Sequence, residues 1–577
     1  MVYNNDFIAN LLDKIASLME IQEENRFKVR AYRMAAACIR ELTFSVAKIE
    51  EEKLLEIPGI GKAIAEKIRE IGTTGDCEAH RKLLQEVPES LLEFLRIEGL
   101  GPKRVGILYR ELGITSTQML KEAALSGKIE TLDGFGTKIV KKIVDGLDHL
   151  EERKGRFALD QVVPMMQNLL ETMQGIPGVS KVEVAGSLRR WKETVKDLDI
   201  LVTGNKEYTE KVMDTFASYP EVESIISRGD TKSTVKWKMG IQVDLRFIES
   251  DCFGAGMQYF TGSKEHNIAL RTLAKDKGFK TSEYGLFKIS GKKEIKVAGE
   301  NEAEFYRTLG MDYIPPELRE NAGEIEAAMK GTLPCLIELS DIRGDLQMHT
   351  TQSDGKNSLE EMVQSAMGLG YEFIAITDHS KAMHVANGMD EARLSQWIET
   401  IHKTRQKYPG FHLLAGIEVD ILKDGSLDLE EKILKECDVV VASIHSSLRM
   451  SSEDMTKRII DGISHPFVHI LAHPTARLIQ QREPVDYDFD KVLEAAIQNR
   501  VAMEVNSSPR RLDLKDVLVR KVIENKGLIS INTDAHSFDQ LLFMKYGVHT
   551  ARRGWCQKKD CINTFDMEHL QKFLSKR

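Results

Sequence analysis

The sequence predicts a multidomain chain: helical N-terminal domains with helix-hairpin-helix motifs, a central α+β domain, and a C-terminal α/β domain forming a distorted (β/α)7 barrel. Three observations predict it. A Gly-apolar-Gly pattern recurs three times before residue 150. Two aspartates stand two apart on a strand-like run at 197–199. Beyond residue 340, apolar runs ending in histidine or carboxylate alternate with amphipathic helical runs.

At 577 residues the chain has room for roughly three or four domains with sizeable cores. Its 42% hydrophobic and 29% charged residues are a globular balance, and no apolar run is long enough to span a bilayer, so no membrane partner is expected. The opening MVYNNDFIANLLDKIASLME is polar and amphipathic, unlike a signal peptide. Seven cysteines without a CxxC pair argue for a reducing compartment and against a disulfide framework or a structural zinc finger. The net charge of −9 alone argues against a nucleic-acid binder, but a carboxylate-rich metal site can mask local basic stripes.

The hairpins read LLEIPGIGKAIAEKIREI (54–71), FLRIEGLGPKRVGILYREL (94–112) and IETLDGFGTKIVKKIVDGL (129–147). Each glycine pair (Gly59 and Gly61, Gly99 and Gly101, Gly134 and Gly136) allows a tight turn and close backbone approach. The following helix then offers free N–H groups and basic residues to a phosphate, without reading sequence. One copy would equally suit an ordinary αα-hairpin, but three copies with the same spacing argue for DNA. Upstream, Arg26, Lys28, Arg30 and Arg33 lie close together on a helical stretch, as a solvated face also would.

In the middle, GVSKVEVAGSLRRWKETVKDLDILVTG (178–204) holds two strand-like runs. Asp197 and Asp199 project to one face of the second, where two carboxylates repel unless a cation lies between them. Asp244, in KMGIQVDLRFI, is a third carboxylate on another strand. Three such aspartates can hold two Mg2+ ions for phosphoryl transfer. Gly186 and Ser187 form a turn whose backbone N–H groups could hold a triphosphate, with Arg189 and Arg190 supplying charge.

Gly-Ser, then Asp-x-Asp, then a later single Asp resembles the nucleotidyltransferases of the DNA polymerase beta type. YFTGSKEHNIALR (259–271) is similar to the family X polymerase segment that meets the incoming nucleotide. The resemblance implies catalytic, metal-holding roles for Asp197, Asp199 and Asp244, and phosphate contacts from Gly186, Ser187 and Arg190. Tyr259 and Phe260 would line the sugar side, Gly262 would belong to the same nucleotide-binding segment, Asn267 would meet the base edge, and Arg271 the template-side minor groove. Arg246 would organise the carboxylates. Lys67 falls where this family keeps its Schiff-base lysine for lyase chemistry, although Ala63 and Met34 stand where helper lysines are often found. The expected domains are a lyase-like helical domain (1–85), a hairpin subdomain (86–152), a palm (153–252) and a nucleotide-selecting subdomain (253–315).

Pro315-Pro316 and a short acidic helix predict a linker over 316–338. After it, FIAITDH, LLAGIEVD, VVVASIH, VHILAHP, VAMEVNSS and LISINTDAH join DLQMHTTQSD as seven strand-like runs. Catalytic residues of a β/α barrel sit at the C-terminal ends of its strands, where these runs carry their histidines and carboxylates. This half (339–577) resembles the PHP family of metal-dependent phosphoesterases. The resemblance implies two or three Mn2+ or Zn2+ ions on His349, Asp354, His379, Glu418, His445, His473, Asp534 and His536. Gln347 departs from the family's His-x-His opening, and Asp354, where some members have histidine, offers a harder carboxylate ligand that favours Mn2+. Arg510 and Arg511 follow a strand end as phosphate clamps or as loop charge.

The combined expectation is a bacterial, cytoplasmic, nucleoid-associated monomer that fills gaps in DNA. It would act on gapped or primer-template DNA with deoxynucleoside triphosphates. A Mn2+-dependent 3′→5′ exonuclease would sit in the PHP half, with incision at abasic sites as a further activity of the family. The competing readings are a polymerase whose PHP half is structural or a weak phosphatase, a non-catalytic DNA-end scaffold, and a small-molecule phosphatase tethered to a DNA-binding domain.

Overall fold

The computed structural model describes residues 5–575 apart from 42–44, 56, 58, 96, 98 and 154. The chain divides into two compact units, one of residues 1–154 with the stretch 480–483, the other of 155–479 with 484–577.

The first unit is all helical among the described residues and has two cores. One is formed by the apolar faces of Asn5–Ile21, Arg26–Glu41 and Lys62–Thr74. The other lies among Pro102–Leu112, Thr117–Leu125 and Thr137–Arg153. Each hairpin has the same local geometry. Gly59, Gly99 and Gly134 take φ of 87°, 88° and 82°, a left-handed conformation that L side chains rarely adopt. The next apolar residue bonds back three positions: Ile60 N to Ile57 O (3.1 Å), Leu100 N to Ile97 O (3.0 Å), Phe135 N to Leu132 O (3.2 Å).

The second unit opens with a five-stranded sheet in the order Val179–Val184, Asp197–Gly204, Gln242–Phe247, Lys232–Trp237, Val222–Arg228. Only the second and third of these run parallel. Alternation divides their side chains between the two faces. Leu198, Ile200, Val202, Val243 and Leu245 join the core with the helices Leu159–Gln174 and Thr209–Ala217, while the aspartates take the other face. Trp237 is fully buried in this core, where truncation to alanine costs about 3–5 kcal/mol.

A three-stranded antiparallel sheet over Phe279–Ala298 follows, packed with Lys264–Asp276 and Glu302–Thr308. The segment 316–338 differs from the linker expectation. Leu318, Ile325, Ala328 and Leu336 enter this same core. The fully buried Glu324 carboxylate lies 2.6 Å from His266 Nδ1 and accepts the Asn321 and Ala322 N–H groups. Acidic composition made the segment look solvated; its buried charges instead have partners, which lets them leave water.

The last domain is a seven-stranded parallel sheet whose strands follow chain order: Gly344–Asp345, Phe373–Ile376, His412–Asp420, Val439–Ser443, Ile470–Leu471, Ala502–Asn506 and Ile529–Asn532. Parallel strands covered on both faces need continuous apolar runs, and Val439–Ser443 is buried throughout. A parallel bridge between Met348 and Ala535 ties the first strand's exit to the last, closing the ring at its C-terminal rim. Leu346, Phe373, Val439, Val441 and Ile470 form one cluster of the barrel, while the surrounding helices pack against a larger one.

Candidate active sites

The first candidate site lies on the open face of the five-stranded sheet. Register pairs Asp199 with Asp244 and Asp197 with Gln242 across the parallel strands, so three carboxylates share one patch. Asp244 is fixed by two donors, the Thr234 hydroxyl on Oδ1 and the Gln242 amide on Oδ2 (3.2 Å). Burial, then the charges of Asp197 and Asp244, push the Asp199 carboxyl up to about 6. Like charges held this close, with one of them desolvated, fit a site for divalent cations. Gly186, at φ 63°, passes directly over Asp199: a Cβ there would lie 2.5 Å from its Oδ2.

The arginines after the turn are more committed than the sequence suggested. Arg189 forks onto Glu302 at 3.0 and 2.8 Å and donates to Thr261 Oγ1 at 2.7 Å. Arg190 donates to the Thr261 carbonyl and, through Nε, to Glu320 at 3.1 Å. Tyr259 and Phe260 meet edge to face at 5.1 Å, and Arg246 lies 4.5 Å over the Phe260 ring. Ser187 is half-buried beside Gly186. Asn267, expected at a base edge, here donates to the Tyr259 carbonyl (2.8 Å) and accepts from Gln258 (2.7 Å). Arg271 is exposed on the same helix.

The second candidate site is at the C-terminal rim of the barrel. Ligand atoms of His349, Asp354, His379 and His536 lie within 4.8 Å of one another; so do those of His379, Glu418 and His445, and of His349, Glu418 and Asp534. His473 Nε2 lies 3.1 Å from Glu418 Oε1. All eight sequence-predicted ligands therefore meet in one pocket, with Glu418 at the centre. Buried Nδ1 atoms of His349, His379 and His473, and Oε2 of Glu418, have no hydrogen-bond partner. Burial lowers His536, yet its bond to Asp354 and the charges of Asp534 and Asp354 push it up to about 10. Orphaned donor atoms in a pocket that draws in positive charge fit a multinuclear divalent-metal centre.

Further residues shape this site, of which Asp420 and Glu504 were not singled out from the sequence. Gln347 is fully buried, and neither atom of its amide has a hydrogen-bond partner. Asp420 accepts from His445 N and lies 3.2 Å from His445 Nδ1, which orients that ring. Asp378 holds the loop after His349 by accepting from Thr350 N (2.8 Å), Thr350 Oγ1 (2.8 Å), Ser353 Oγ (2.6 Å) and Trp397 Nε1 (3.1 Å). Glu504 accepts from His473 N at 2.6 Å and Asn532 Nδ2 at 2.9 Å. Each stands on a strand or at its end, and Asp378 and Asp420 are within two residues of a predicted ligand, the only sequence signal they carry. Arg510 and Arg511 separate: Arg510 is exposed, whereas Arg511 approaches Asp534 at 3.9 Å with a buried, unpartnered Nη1.

In the helical unit, a Cβ at Gly61, Gly101 or Gly136 would meet no protein atom within 4 Å. Internal packing therefore does not demand glycine at these three helix starts. Lys67 is half-buried on Lys62–Thr74, its amine donating to the Ala63 carbonyl at 2.9 Å.

Comparison with known proteins matches four segments of the chain to known domain families. The helix-hairpin-helix domain family matches residues 3–77, and the SAM-like helix-hairpin-helix tandem family 91–148. The DNA polymerase beta thumb family matches 256–320 and the PHP domain family 345–508. The chain is 38% identical over 571 residues to the DNA polymerase/3′-5′ exonuclease PolX of Bacillus subtilis (strain 168), covering 99% of each chain. It is 32% identical over 207 residues to a protein of Thermoanaerobacter sp. (strain X514) named as a probable phosphatase, covering 34% of this chain and 80% of that one. To DNA polymerase lambda of Rattus norvegicus it is 24% identical over 345 residues, 55% of this chain and 56% of that one.

Proposed function

The chain belongs to the family X DNA polymerases that carry a C-terminal PHP domain, and on that basis we propose that it fills short gaps in DNA under repair and trims 3′ ends. It is a DNA polymerase acting on DNA and deoxynucleoside triphosphates, with 3′→5′ exonuclease activity in its PHP domain. The observation that carries the reading is the coexistence of two separate carboxylate-rich centres, one on the palm sheet and one at the barrel rim.

At the palm, Asp197, Asp199 and Asp244 would hold two Mg2+, and at the rim His349, Asp354, His379, Glu418, His445, His473, Asp534 and His536 would hold two or three Mn2+ or Zn2+. Bound cations supply Lewis-acid stabilisation of charge on the phosphate and its attacking oxygen. The protein's part is orientation. Asp244, held by Thr234 and Gln242, presents a fixed carboxylate to accept the 3′-hydroxyl proton. Gly186, without a side chain, lets its turn close onto Asp199, and Gly186, Ser187 and Arg190 would bind the triphosphate. Tyr259 and Phe260 would wall the sugar, with Gly262 in the same nucleotide-binding segment, Asn267 would meet the base edge, and Arg271 the minor groove. At the rim, Asp420 and Asp378 hold the ligand-bearing segments, and Arg511 offers a guanidinium to the scissile phosphate.

The three open glycine turns would grip backbone phosphates of primer and downstream strands, which gives affinity without sequence preference. We assign 1–85 and 86–152 to DNA binding, 153–252 to the palm, 253–338 to nucleotide selection and 339–577 to the nuclease. The described helices include none long and apolar enough to cross a membrane, and the reading is a monomer working in the cytoplasm. The test is paired variants on one gapped substrate. Asp244→Ala should abolish extension and retain 3′ trimming, while His379→Ala should do the reverse. Unchanged trimming of single-stranded 3′ ends by His379→Ala with Mn2+ rejects the nuclease assignment.

A further inference from the structure

The palm and the barrel lie in one compact unit and share a core: Leu512 and Tyr546 of the barrel are part of the palm's hydrophobic cluster. Where they meet, the turn after Gly186 is held from the barrel side. Trp191, at φ 53°, stacks on His549 with ring centroids 3.7 Å apart and planes 6° from parallel. Beside it, Arg553 Nη1 donates to the Arg190 carbonyl at 2.7 Å and to Glu320 Oε1 at 3.1 Å. Its Nε and Nη2 fork onto Asp516 at 2.9 and 2.6 Å, and its side chain is 4% exposed.

Glu320 is thus shared. The same Oε1 takes Arg190 Nε at 3.1 Å, and Lys192 approaches to 3.8 Å. Burial raises the Glu320 carboxyl, but Arg553, Arg190 and Lys192, in that order, bring it below its ordinary value, so it is ionised at neutral pH. An ionised carboxylate on Arg190 competes with any phosphate that Arg190 is to bind. A second arginine on that carboxylate weakens its hold on the first.

We propose that Arg553, although part of the PHP domain, is a positioning residue for the polymerase's nucleotide site: it anchors the Arg190 carbonyl at the end of the Gly186–Arg189 turn and shares Glu320, leaving the Arg190 guanidinium available to the triphosphate. This rests on the reading of Arg190 as a phosphate-binding residue. It predicts opposite effects from two neighbours. Removing Arg553 strengthens the grip of Glu320 on Arg190, and removing the Glu320 charge frees Arg190.

The experiment is steady-state gap filling by the full chain, with deoxynucleotide titrated, plus nuclease rate and melting temperature as checks on folding. Arg553→Ala should raise KM for the deoxynucleotide about five- to tenfold with kcat within about twofold, the size of one charge-assisted contact. Arg553→Lys should fall between, because an ammonium keeps the charge but cannot reach the carbonyl and Glu320 while also holding Asp516, as Nη1, Nε and Nη2 do together. Glu320→Gln should lower KM, and the double variant with Arg553→Ala should follow Glu320→Gln, since the competing charge is gone. A merely structural role would raise KM in both single variants or lower kcat and stability together, and either result overturns the proposal. So does an unchanged KM in Arg553→Ala. Should Arg553→Ala fail to fold, Arg553→Lys and Glu320→Gln are read alone, and only opposite signs sustain the proposal. Arg190→Ala separates the two levels. If it leaves KM unchanged, the phosphate assignment falls; if it raises KM while the Arg553 variants do not, only the inference falls.

Discussion

Asp199 and Asp244 stand directly opposite each other on neighbouring parallel strands, and Thr234 and Gln242 fix the second of them by hydrogen bonds to both its oxygens. The pair is separated by 45 positions in sequence yet forms one electrostatic unit. On the proposed roles, replacing Asp244 by Asn would remove the proton acceptor and one cation-binding charge. Extension of a gapped primer should fall by about a thousandfold or more, as for loss of a general base combined with metal disruption. Primer-extension gels with the nuclease rate measured in parallel check this.

Asp420 and Asp378 touch no reacting group, but each holds a ligand-bearing segment in place. Asp420→Asn or Asp378→Asn should reduce 3′ trimming by about 10–100-fold, the usual effect of losing a partner behind a metal ligand. Extension by the same proteins should remain near the parent rate.

Arg510 and Arg511 are adjacent in sequence but differ in setting. Arg511→Ala should slow trimming about tenfold or more by removing a charge-assisted contact to the phosphate. Arg510→Ala, at an exposed position, should leave it unchanged.

Gln347 puts a buried, unpartnered amide beside His349, where related sites open with a second histidine. A histidine nitrogen is softer than an amide oxygen, so Gln347→His should shift the site's preference from Mn2+ toward Zn2+, by about tenfold in relative affinity. Metal analysis of protein equilibrated with both ions reads the shift independently of activity.

Glu302 lies between Arg319 and Arg189. Burial raises its carboxyl, but the two guanidiniums outweigh this and hold it at about 2, against an ordinary 4.5. A depressed folded pKa contributes stability in full above the unfolded value, and that contribution is lost as pH falls from about 4.5 toward 2. The loss should be of the order of 3 kcal/mol. Glu302→Gln should flatten this acid limb in unfolding measured against pH, although it starts from a lower stability because the buried Arg319 and the half-buried Arg189 lose their charge partner.

Much of this protein was legible in its sequence because the relevant signals are local. A left-handed glycine three residues before a helix start, aspartates of the same strand parity, and histidines at the ends of apolar runs are all set by backbone geometry over a few residues. The eight side chains that converge at the rim and the three palm carboxylates could therefore be named as candidates before any fold was known. What local pattern could not decide was which charges would neutralise each other. Arg189 went to Glu302 and Arg190 to Glu320, more than a hundred positions away, and the acidic stretch expected as a linker was drawn into a core. Asp420 and Asp378 became supports of the metal site because the barrel turned them toward its rim. The sequence by itself determined the kind of chemistry, through residue type and spacing. The tertiary structure alone decided the partners of each buried charge, because desolvation makes a charge depend on whichever opposite group the fold brings within hydrogen-bonding distance, however remote along the chain.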